Sequence, residues 1–163
     1  MLDDDEVTER DLAHLRAAIA VAAQARFHGN HPFGAVLVSA NSELLLSAEN
    51  TVLTDRDPTG HAELNLVRLA GRSLTRDELG ECTLYASTEP CAMCATAMYW
   101  GGISRVVYGT SAAQLNAAAS PSADHDTLDL PCRVVFAAGT RVIKVQGPLL
   151  EVEAWRVHEG FWS

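Results

Sequence analysis

The sequence predicts an α/β layered domain, and three observations carry that prediction. Stretches with strand-like patterning, GAVLV at 34–38 and CTLYAS at 82–87, alternate with stretches of helical spacing, HAELNLVRLAG at 61–71 and CAMCATAMYW at 91–100. The breaks between them are turn formers such as HGNHP, DPTG and TEP. With 163 residues, 48% of them hydrophobic and 20% charged, the chain can bury one substantial core and is too short to split comfortably into two.

Taken in order, Thr8 and Asp11 form a TxxD helix start, after which Leu12, Leu15, Ile19 and Ala22 or Ala23 recur at helical spacing to about residue 26. GAVLV and ELLLSAEN at 43–50, joined across Asn41 and Ser42, read as a hairpin. In HAELNLVRLAG, Leu64, Val67 and Leu69 or Ala70 define a helix closed by Gly71, which puts His61 and Glu63 in its first turn. CTLYAS is the next strand, and TEP breaks it before a helix that runs to Gly101 and Gly102, with Cys91 and Cys94 at its start. ISRVVYG at 103–109 adds a strand. Residues 110–129, rich in Ala, Ser, Asn and Asp, read as a loop, followed by RVVFAAG and RVIKVQG. Residues 148–163 form a last short helix and tail. Without an internal repeat or linker, 1–163 is expected to be one domain, with 148–163 a candidate segment for closing over a site.

The acidic start MLDDDEVTERD lacks the basic and apolar regions of a secretory signal, and no apolar run approaches the about 18 residues needed to span a bilayer. The expectation is a cytoplasmic protein with no membrane partner. Four cysteines, at 82, 91, 94 and 132, are too sparse for a disulfide-stapled scaffold, so the close pair Cys91 and Cys94 demands a metal or redox explanation. Lys and Arg total 12 against 21 Asp and Glu, and the formal net charge of -9 disfavours a nucleic-acid partner.

The chemistry is concentrated in HAE at 61–63 and PCAMC at 90–94. Two thiolates and one imidazole make a three-ligand zinc set that leaves the fourth tetrahedral position to water, as in catalytic rather than structural sites. Ligands at helix starts sit where partial positive backbone charge favours thiolate. Glu63, two residues from His61, is placed near such a metal without being needed as a ligand, so it is free to move protons.

HxE followed by PCxxC, with the Glu as general acid and base, is the signature of zinc nucleobase deaminases. On these residues the chain resembles the cytidine deaminase-like superfamily over roughly residues 10 to 110. PFGAVLV at 32–38, DPTGHAE at 57–63 and EPCAMC at 89–94 look most like bacterial guanine deaminases and tRNA adenosine deaminases. The resemblance implies a three-layer α/β/α sandwich around a central mixed sheet, Zn2+ on His61, Cys91 and Cys94, and proton transfer by Glu63. It further implies base contacts from Asn50 and the Ala62 backbone NH, an aromatic wall at Phe33, and a homodimer. Gly60 stands where the family more usually has Ala, which is expected only to loosen the turn before the metal helix. The reaction implied is hydrolytic deamination of a free nucleobase or nucleoside, with a guanine-like purine favoured. Cytosine, a triazine-type ring, a tRNA adenosine and a catalytically silent zinc scaffold are the alternatives.

A thioredoxin-like reading of CAMC leaves HAE unexplained, and a zinc ribbon would need a second pair that Cys82 and Cys132 do not make. Cys82 and Cys132 are therefore read as buried structural thiols. His14, His28, His31 and His125 are read as surface or locally bonded groups, Met93, Met98, Tyr99 and Trp100 as core, and Asp3 to Glu6 as a solvated run. In the tail VHEGFWS, packing against the body competes with a lid in which His158, Glu159, Phe161 or Trp162 touches the substrate.

Overall fold

The protein is described here by a computed structural model over residues 6–119 and 126–162. His125 and the acidic residues Asp3, Asp4 and Asp5 lie outside the described residues. The chain runs α1 (Glu9–Phe27), β1 (Gly34–Val38), β2 (Leu44–Glu49), α2 (Val52–Asp55), α3 (Ala62–Ser73), α4 (Arg76–Gly80) and β3 (Thr83–Thr88). It continues through α5 (Ala92–Gly101), β4 (Arg105–Thr110), α6 (Ala112–Ala119), α7 (Cys132–Ala137), β5 (Lys144–Gln146) and α8 (Glu151–Arg156). The five strands form one mixed sheet in the order β2-β1-β3-β4-β5. β1 is antiparallel to both β2 and β3, whereas β3, β4 and β5 are parallel. Helices α1 and α8 cover one face and α3, α5 and α7 the other, giving the three-layer α/β/α sandwich.

The stretch after β4 departs from expectation. Within the stretch read as a loop, 112–119 is a helix, because AAQLNAAA is rich in strong helix formers that lack a conspicuous apolar stripe. RVVFAAG is also mostly helical, with Cys132 and Phe136 four residues apart and buried on one face, while RVIKVQG supplies β5.

The capping box of α1 is present, with the Thr8 side chain accepting from Asp11 N and the Asp11 carboxylate accepting from Thr8 N. Its buried face is Leu15, Ala18, Ala22 and Ala25, and Leu12 and Ile19 are only half-buried. Alanines win the inner stripe because α1 lies unusually close to β1, where a Cβ on Gly34 would collide with the Ala22 nitrogen and Ala18 oxygen. Gly109 on β4 plays the same part for α8, since a Cβ there would press on Ser87 O and the Ala154 methyl. Between the sheet and α3 and α5, Leu66, Leu84 and Met98 are fully buried, each stabilising the fold by about 1.5–3 kcal/mol. Cys82 and Cys132 are buried thiols in this layer, whereas Trp100, expected in the core, is 69% exposed because it falls on the outer side of α5. His14 bonds Ser42 at 2.9 Å and His28 bonds Glu49 at 2.9 Å, both local surface pairings.

Asp11 does more than cap α1. Its Oδ1 accepts from the Tyr85 hydroxyl at 2.6 Å and from Arg105 at 2.8 Å, which pins the helix to β3 and β4. Burial raises the Asp11 pKa, but hydrogen bonds from Arg105, Tyr85 and Thr8 outweigh it and hold the carboxyl well below the usual carboxylate range. A depressed folded-state pKa contributes fully above the unfolded value of about 3.9, and its contribution is lost as pH falls toward the folded value. Asp11→Asn is expected to cost about 3 kcal/mol near neutral pH, mainly by leaving Arg105 unpaired. In thermal melts at several pH values the deficit should shrink below about pH 4; a deficit that stays constant into acid would contradict the role given to the Asp11 charge.

Candidate active site

Strand polarity gathers the site. The C-terminal ends of β2, β3 and β4 and the N-terminal start of β1 lie at one end of the sheet, where ligands of open α/β sheets bind. From these ends the chain passes through Asn50, Pro90 and the two helix starts. His61 is the N-cap of α3 and Cys91 the N-cap of α5, both in extended backbone and without a side-chain cap hydrogen bond. Their side chains are therefore free to turn away from their own helices and toward each other.

They meet. The Nδ1 of His61 lies 3.5 Å from Cys91 Sγ and 3.6 Å from Cys94 Sγ, and one ligand atom from each of the three residues falls within 4.8 Å of the others. A tetrahedral zinc with bonds of about 2.3 Å to sulfur and about 2.0 Å to nitrogen separates those donors by about 3.5 Å, so the residues fit the ion. The three side chains also lie within hydrogen-bonding reach of one another. A hydrogen bond from the Cys94 thiol, followed by one from His61, lowers Cys91 to about 4, while the same bond and burial raise Cys94, and Cys91 raises His61. Metal binding would displace those protons, as ligation by thiolate and neutral imidazole requires.

Glu63 stands in the first turn of α3, 5% exposed. Burial, then the Cys91 charge, raises its carboxyl to about 7, a value suited to taking and giving a proton at neutral pH. Asn50 is 1% exposed; its backbone N–H donates to Phe33 O at 3.0 Å, and its Oδ1 accepts from Val52 N at 3.1 Å. Its side-chain NH2 has no acceptor among the described residues. Ala62 is buried, and its backbone N–H belongs to the first turn of α3, where amides have no carbonyl of their own helix to meet. The turn before it is tight rather than loosened: Thr51 N donates to Gly60 O at 2.8 Å, and a Cβ on Gly60 would come within 2.9 Å of Thr51 Oγ1.

The tail reaches this end of the sheet. Trp162 lies 6.0 Å and His158 5.4 Å from Phe33 between ring centroids, and Arg26 of α1 holds the segment by donating to Val157 O and Glu159 O. Phe33 and Trp162 are thus brought together, whereas the Glu159 side chain is exposed and outside the group. Sequence reasoning missed Glu89. Its two carboxylate oxygens accept from Ala112 N at 2.9 Å and Cys132 N at 3.1 Å, so it ties the loop before Cys91 to the starts of α6 and α7. Its place in EPCAMC was the available signal. A cavity of about 580 Å³ lies instead at the opposite sheet end, lined by Thr8, Val38, Thr83 and Arg105 among others, and includes none of the metal-binding set.

Comparison with known proteins agrees with this geometry. The chain is 44% identical to a probable cytosine deaminase of Schizosaccharomyces pombe over 162 residues, covering 99% of this chain and 98% of that one. It is 43% identical to a guanine deaminase of Bacillus subtilis over 77 residues, 47% of this chain and 49% of the relative. A solved structure from work on tRNA:A34 deaminases superposes with a TM-score of 0.71 at 26% identity, covering 90% of this chain and 99% of that one. Residues 8–110 match the cytidine and deoxycytidylate deaminase zinc-binding region, and the chain belongs to that deaminase family.

Proposed function

We propose that the protein is a zinc-dependent hydrolytic deaminase of a free nucleobase, with cytosine placed first. The observation that carries the reaction is the juxtaposition of His61, Cys91 and Cys94 with a buried Glu63 of raised pKa. Zinc held by the three donors would supply a Lewis acid that brings the pKa of water into the neutral range. Glu63 accepts the proton of the attacking water and passes it to the ring nitrogen beside the amine-bearing carbon. It then carries the second proton to the departing amine. Water is consumed, the C–N bond breaks, an oxo group forms and ammonia leaves. Asn50 reads the base edge with its unoccupied NH2, and the Ala62 N–H offers a second donor. Phe33 and Trp162 wall the ring, and the exposed Glu159 is assigned no part.

Cytosine is placed ahead of the guanine-like purine favoured by the motifs because the likeness to the probable cytosine deaminase spans the whole chain, tail included. Guanine is the second reading, supported by the likeness to the guanine deaminase across half the chain. The charge of -9 supports a small substrate over RNA. Among the described residues no helix is long and apolar enough to cross a membrane. A cytoplasmic homodimer remains part of the proposal.

Purified protein is expected to carry one zinc per chain by elemental analysis, to lose it in Cys91→Ala or Cys94→Ala, and to keep it in Glu63→Ala; full zinc in both cysteine variants would contradict the ligand set. Ammonia release assayed on cytosine, guanine, adenine, their nucleosides and a tRNA anticodon stem-loop is expected on cytosine, and to fall at least about 100-fold in Glu63→Ala. Turnover confined to RNA, or unchanged in Glu63→Ala, would overturn the proposal.

A further inference from the structure

The tail carries a chain of hydrogen bonds whose polarity can be read. Trp162 Nε1 lies 3.2 Å from His158 Nδ1, and an indole N–H only donates, so Nδ1 is the accepting, unprotonated nitrogen. His158 is 1% exposed, and burial, with the charge of Arg26, lowers its pKa to about 4, so the ring is neutral. A neutral imidazole with a bare Nδ1 carries its hydrogen on Nε2, which lies 3.1 Å from Thr88 Oγ1. Thr88 Oγ1 is therefore the acceptor of that bond. Its own hydroxyl hydrogen must point elsewhere, and it has no acceptor among the described residues.

Leu84 and Ala86 face the α3 and α5 layer, and alternation along β3 puts Thr88 on the same face, at the strand end three residues before Cys91. Its ladder partner on β4, Thr110, is fully buried with a hydroxyl oxygen that has no partner among the described residues. Two buried hydroxyls with unused capacity, side by side at the strand end where His158 packs against Phe33, are what a polar ligand at this position would satisfy.

The geometry points to Thr88 as a specificity-determining residue that donates its hydroxyl hydrogen to an acceptor atom of the base, with the Trp162–His158 relay fixing the direction of that donation. The tail then acts on recognition: it orients a donor for a ring carbonyl oxygen or bare ring nitrogen. This inference rests on the proposed nucleobase reaction for the identity of the ligand, and on the geometry alone for the relay.

The test combines an NMR measurement with a pair of variants. In histidine ¹⁵N-labelled protein, His158 is expected in the Nε2–H form; an Nδ1–H form would overturn the relay. Thr88→Val, which keeps the shape and removes the hydroxyl, is expected to weaken cytosine binding and raise KM by about 5- to 10-fold. The kcat and zinc content should change little, the melting temperature should fall because the buried His158 Nε2–H loses its acceptor, and Thr88→Ser should restore both affinity and melting temperature. Unchanged affinity in Thr88→Val, or no rescue by Thr88→Ser, would overturn the donor role. Binding is read by calorimetry separately from turnover, so cytosine that binds without being deaminated strikes the proposed function alone, whereas loss of affinity only in Thr88→Val still supports the inference.

Discussion

The structure depends on one geometric constraint: two helices must begin at the same end of one sheet, so that the caps of both face a common point. His61 and Cys91 are those caps, and neither spends its side chain on its own helix. The constraint is met because β2 and β3 finish at that end, β2 leading through α2 and a turn to α3 and β3 leading directly to α5, with both helices on the same face. Leu66 of α3 and Met98 of α5, both fully buried, fix the two axes against Leu84 and against each other. A shift of either helix by about one turn, some 5.4 Å, would exceed the 4.8 Å span of the three donor atoms.

The remaining polar groups at this end are arranged around that point. Glu89 receives the first amides of α6 and of α7, so the segments C-terminal to β4 are indexed to the loop that carries Cys91. On the other face, Gly34 lets α1 approach the sheet, and Gly109 does the same for α8, which delivers His158 to Thr88. The Asp11, Tyr85 and Arg105 network anchors α1 from the far end of the strands. The site is thus supported on both faces of the sheet.

Much of this was legible in the sequence because the informative residues obey local rules. TxxD marked the α1 cap, the apolar run GAVLV in a hairpin and the alternation in CTLYAS marked two strands, and HAE with PCAMC marked the metal-binding set. The inner stripe of α1 was legible only in part: Leu15 and Ala22 are buried as read, whereas the burial of Ala18 and Ala25 in place of Leu12 and Ile19 depends on how near β1 comes. The helices at 112–119 and 132–137 were missed because the first lacks an apolar stripe and the second resembles a strand in its Val-Val-Phe run. Trp100 looked like core by composition, but which side of α5 faces the sheet is set by Cys94, Ala95 and Met98. The second carboxylate oxygen of Glu89 and the His158 relay join residues 43 and 70 positions apart, a separation that no local pattern encodes.

The proposed reaction requires a single zinc on His61, Cys91 and Cys94 with its fourth position left to solvent or substrate. Zinc K-edge X-ray absorption on the purified protein tests it most directly. The account expects two sulfur scatterers at about 2.3 Å and two nitrogen or oxygen scatterers at about 2.0–2.1 Å. Three or four sulfurs, which would require Cys82 or Cys132 to join the ion, would contradict it.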